Sequence, residues 1–123
     1  AMTPFQLEHL KLIDAHLERL LAKAEKRTPG KWVAGATIIG NGVDTTVCEM
    51  PSREKDSLAW HDNIHFIASC AGNAEAGWRA TRAAIALLFA MCDGAHSINT
   101  VIAAQKMGES ILAAFPLELI QKP

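Results

Sequence analysis

The sequence predicts an α+β fold: an N-terminal helix, a small antiparallel β-meander of two or three strands, then a C-terminal set of helices. Three observations carry this. Leu10, Ile13, Leu17, Leu20, Leu21 and Ala24 recur at helical spacing. The run KWVAGATIIGNGVDTTVCEM then changes period and is rich in Trp, Val, Ile and Thr, with glycines as punctuation. From about Asn63 onward, alanine-rich helical patterns return.

The first helix opens at TPFQ. Thr3 suits the N-cap, Pro4 the first helical position, and Gln6 the third position of a capping box. Lys23, Lys26 and Arg27 fall where cations favour the helix dipole, and TPG at 28–30 stops the helix. Trp32 and Val33 form a first short strand, closed by Gly35, and Trp32 is expected to pack under the first helix. GNG at 40–42 turns a hairpin between ATII and VDTTVCEM. PSREKDS at 51–57 reads as a polar loop. NIHFIASC is a short helix starting at Asn63 and ending near Gly72, and a longer helix follows with Asn73 as its N-cap and Asp93–Gly94 as its stop. Ser97 caps a last helix that ends at Pro116, with Gly108 as a weak point in its middle.

Length and composition bound the function. A chain of 123 residues with 50% hydrophobic content is expected to be one domain, residues 2–123, with Ala1 ahead of Met2 a cloning remnant. No apolar run reaches the ~18 residues of a membrane span, and no leader pattern is present. A net charge of −1 gives no general attraction to nucleic acid or anionic lipid. Cys48, Cys70 and Cys92 are odd in number and far apart, as expected of reduced thiols in the cytoplasm.

The chemical motifs are mostly negative. HDNIH at 61–65 looks like the zinc-protease pattern H-E-x-x-H with Asp for Glu. A helix starting at Asn63 leaves His61 in the preceding loop and off the face of His65, so no metal is expected. His9 and His16 are seven apart, too far for one ion, and read as surface or partner contacts. GNGVDTT lacks the Lys-Ser/Thr ending of a phosphate loop, and no Ser stands in a G-x-S-x-G context. Neither a cofactor nor enzymatic activity is expected.

WRATR at 78–82 has two readings. Trp78 and Arg82 at i,i+4 suit cation–π packing, and Arg79 and Arg82 at i,i+3 can hold one anion. Alternatively Trp78 is core, the arginines form a solvated rim, and Glu75 pairs with Arg79. Trp60, ahead of a helix, suits stacking on a flat ligand or a wedge in the structure. ATRAAIALLFA and VIAAQ…ILAAF offer more apolar helical surface than a small sheet can cover, so a homo-oligomer through the C-terminal helices is expected.

RTPGKW before a short hairpin, then NIHFIA, then NAEAGWRATRAAIALL, resembles a group of small phage- and prophage-encoded proteins of the P-G-x-W … D-A-x-F-I-A type. The resemblance covers roughly residues 27 to 90. Asn63 stands where the group has Asp, and Ala71 where it has Arg. The outline is also similar to that of Thoeris anti-defence proteins, which sequester cyclic ADP-ribose-type signals. The resemblance implies a non-catalytic accessory protein of an infected or lysogenic bacterial host. Its sharpest form is a cyclic-nucleotide sponge using Trp60, Trp78, Arg79 and Arg82. The alternative is a protein–protein inhibitor of a host defence complex, and a metal-dependent enzyme using His61, His65 and either Cys70 or an acidic residue stands third.

Overall fold

The computed structural model describes residues 2–35, 38–42, 45–49 and 58–120, without the side chains of residues 38 and 58–60. The loop PSREKDS lies outside the described residues. The order is α1 (Pro4–Ala24), β1 (Val33–Ala34), β2 (Ile38–Gly40), β3 (Thr46–Glu49), α2 (Leu58–Met91), α3 (Ile98–Ala114) and α4 (Leu117–Ile120). This is the expected α+β outline, with three antiparallel strands in the order β1-β2-β3. Among the described residues, no helix is long and apolar enough to cross a membrane.

The helix ends follow from local chemistry. Thr3 N–H donates to Gln6 Oε1 at 2.9 Å and Gln6 N–H donates to Thr3 Oγ1 at 3.1 Å, a reciprocal capping box. Ser97 Oγ accepts from Thr100 N–H at 3.2 Å and caps α3. Asn41 closes the β2–β3 turn: its N–H donates to the Thr45 carbonyl at 3.0 Å, and its Oδ1 accepts from Thr45 N–H at 3.1 Å. Gly40 sits at a register irregularity there, and a Cβ on it would run into the Thr45 carbonyl.

Two compact units emerge, each with its own core: residues 1–22 with 78–123, and residues 23–77. In the helical unit, Leu10, Ile13 and Leu17 of α1 are fully buried with Ile85 and Leu88 of α2 and Ile120 of α4. The i, i+3, i+7 spacing on α1 puts all three on one stripe. Gly108 has a packing reason to interrupt α3. A Cβ there would lie 2.7 Å from Met2 Cε and 2.8 Å from its Sδ, so the glycine makes room for that side chain.

In the other unit the register builds the core. Ala34 pairs with Ile39, and Ile39 with Cys48, so the three side chains share one face of the sheet. Ile64 and Ala68, one turn apart on α2, pack onto that face. Trp32 joins this cluster, packed against Ile39, Ile64 and Ala68. Its indole N–H donates to the Thr28 carbonyl at 3.0 Å, and the Arg27 guanidinium lies 5.5 Å from the ring centroid.

The start of α2 differs from expectation. The helix begins at Leu58, five residues before Asn63, so His61 lies in the helix and not in a loop. Asn63 as a cap was a local inference from its side chain; the buried Ile64–Ala68 contact anchors a longer segment. The expected break near Gly72 is present as a kink within the 34 residues of α2, with Ala71 at ψ 124° and Gly72 at φ 83°, ψ −44°. Asn73 serves the break differently from a cap. Its Nδ2 donates to the Ser69 carbonyl at 2.6 Å, standing in for a backbone donor that the kink turns away.

Candidate functional site

The four residues singled out from the sequence all lie on α2, with different surroundings. Trp60 occupies the first turn of α2, and its side chain lies outside the described residues. Trp78 packs half-buried against the Leu10–Ile13–Leu17 core. Arg79 is exposed on α2. Arg82 turns to α1: its Nε donates to Asp14 Oδ1 at 2.9 Å, a second nitrogen reaches Asp14 Oδ2 at 3.4 Å, and Glu18 lies at 3.9 Å. The hydrogen bond to Asp14 raises the guanidinium pKa above its already high value. Arg82 is therefore occupied by carboxylates, and the phosphate clamp of Arg79 with Arg82 is not assembled. Glu75, which the alternative reading pairs with Arg79, forms an ion pair with Arg27.

Arg27 is a residue whose role the sequence concealed. Besides Glu75 and Trp32, it donates to the carbonyls of Thr28 at 2.7 Å and Gly30 at 3.1 Å. The RTPGKW segment is thus a folded turn organised on one guanidinium. His9 has a similar structural use. Its Nε2 lies 2.8 Å from the Phe115 carbonyl, which can only accept, so the ring donates there and satisfies an orphan carbonyl at the end of α3.

Two apolar features of the helical unit carry binding potential. The first is a groove of about 380 Å³ at one end, between Met2 and Leu7 of the α1 end, Leu88 and Met91 of α2, and Val101 and Gln105 of α3. That volume lies within the range of small-ligand sites. Cys92 and His96 also line it, and among the described residues its wall contains neither Lys nor Arg. Gln105 Nε2 donates to Glu109 Oε1 at 2.9 Å. A carboxylate accepts only, so this bond fixes the amide orientation and leaves Gln105 Oε1 buried, without a hydrogen-bond partner among the described residues.

The second is a trough along the α2–α3 seam. One stretch is bounded by Ala80, Ala84, Met107 and Ala114, and the next by Met91, Ala103 and Met107. Met107 borders both stretches. Ala80, Ala84, Leu87 and Met91 follow a 4-3-4 spacing on α2, and Ala103, Met107, Ser110 and Ala114 repeat it on α3. That spacing places each set on one stripe, as in a coiled-coil seam. Leu87, in the middle of its stripe, is 55% exposed.

His61 and His65 are both exposed on α2. Among the described residues, no group of three or more His, Cys, Asp or Glu gathers to hold a metal ion. No family model, curated protein or solved structure matches the chain.

Proposed function

We propose that the chain is a non-catalytic binding module that works as a homodimer of helical hairpins. The observation that carries this is the α2–α3 trough with its paired 4-3-4 stripes. Alanines at 80, 84, 103 and 114 leave a furrow into which the ridges of another helix can settle. A second copy brings the same furrow and the same exposed Leu87, which suits an isologous four-helix contact.

The end groove is the capture site in this reading. Its mostly apolar described lining, including Met2, Leu7, Leu88, Met91 and Val101, favours an apolar side chain or small apolar ligand over a phosphate. Of the two forms the resemblance to phage and prophage proteins implies, this supports the protein–protein inhibitor of a cytoplasmic host defence complex. The cyclic-nucleotide sponge rests on Trp60, Trp78, Arg79 and Arg82, of which Arg82 is already paired with Asp14.

Native mass spectrometry tests both levels, with the chain alone and mixed with cyclic nucleotides and ADP-ribose isomers. A dimer that becomes monomeric in Leu87→Asp supports the hairpin contact, whereas an unaltered dimer refutes it. Nucleotide binding that is lost in the Arg79→Ala/Arg82→Ala variant restores the sponge. A dimer that binds no nucleotide, but captures a host protein released by Ala104→Trp in the groove, supports the inhibitor.

A further inference from the structure

The pair His61 and His65 is the motif that the proposed function does not use. Both belong to the helical segment 58–70 of α2, and both are exposed. Four residues apart on a helix, their Cβ atoms stand about 5–6 Å from each other on one face. Ile64 and Ala68 beside them are buried against the sheet, which holds this length of backbone in place. Both residues thus belong to a packed helix rather than a loop, and two imidazoles at this spacing can close on one ion at the usual metal–nitrogen distance of about 2 Å.

We propose that His61 and His65 chelate a single divalent late transition-metal ion, with water in the remaining positions. Neutral imidazole suits Ni²⁺, Cu²⁺ and Zn²⁺, whereas Mg²⁺ and Ca²⁺ require oxygen ligands. Two protein ligands leave the coordination open, unlike a closed four-ligand structural zinc site. The ion would clamp one turn of α2 in the sheet-bearing unit, and this role is independent of the α2–α3 trough.

The test is isothermal titration of the whole chain with Ni²⁺ in a thiol-free reductant, because copper oxidises free cysteines and the chain has three at Cys48, Cys70 and Cys92. The expected result is one Ni²⁺ bound, with no binding of Mg²⁺. His61→Ala and His65→Ala should each weaken Ni²⁺ binding about 100-fold, since the second ligand acts at high effective concentration. The variant His65→Ala/Phe66→His restores the histidine count but moves the ring about 100° round the helix, to about 140° from His61. Phe66 is 69% exposed, so this exchange leaves the core intact. It should remain as weak as His65→Ala. Absence of Ni²⁺ binding by the native chain, or full affinity in the relocated variant, overturns the proposal.

Discussion

Gly72 and Gly77 provide a matched pair for testing the kink in α2. Both lie in that helix and in the sheet-bearing unit, and a Cβ added at either would meet nothing within 4 Å. Steric crowding therefore cancels from the comparison, and backbone conformation remains. Gly77 lies within the helical run beyond the kink, so Gly77→Ala should stabilise by about 1 kcal/mol through helix propensity. Gly72 has φ 83° and ψ −44°, a region that L-residues enter only with strain. Gly72→Ala should therefore destabilise by about 1–3 kcal/mol. The two variants should differ by about 2–4 kcal/mol, with opposite signs. Urea unfolding followed by far-ultraviolet circular dichroism resolves such a gap, which also corresponds to a separation of roughly 8 °C or more in Tm for a small unit. If Gly72→Ala stabilises as Gly77→Ala does, the helix runs straight through Ala71 and Gly72, and the kink is refuted.

Other substitutions probe single contacts. Ser97→Ala removes the acceptor for Thr100 N–H and should cost about 1 kcal/mol, read as a lowered Tm. Ile13→Ala and Ile64→Ala each open a cavity at a fully buried position, one in each core, and should each cost about 2–5 kcal/mol in denaturant unfolding. Asn73→Ala removes the donor to the Ser69 carbonyl, and should cost about 1 kcal/mol and speed amide exchange around the kink.

What the sequence determined by itself is what short-range chemistry decides. The capping box of Thr3 and Gln6, the Ser97 cap, the Asn41 turn and the break near Gly72 depend on groups within a few residues of each other. The partners there are set by covalent spacing, so they are readable without a fold. The buried stripe of α1 was legible for the same reason, since helical period alone places Leu10, Ile13 and Leu17 together.

The tertiary structure decided the partners of the charged and aromatic side chains. Glu75 and Arg79 are one helical turn apart, yet Glu75 pairs with Arg27, 48 residues away in sequence. Arg82 likewise finds Asp14 across 68 residues. A long flexible cation takes whichever carboxylate the packed backbone brings near, and an i,i+4 pair worth a few tenths of a kcal/mol is readily displaced by one held in better geometry. The same cause moved the start of α2 from Asn63 to Leu58. Burial of Ile64 and Ala68 against Ile39 fixes that helix against the sheet, and such burial outweighs the preference of a single cap. His61 and His65 thereby come to share a helix face, a relation that depends on packing with a sheet whose nearest strand ends nine residues before the helix begins.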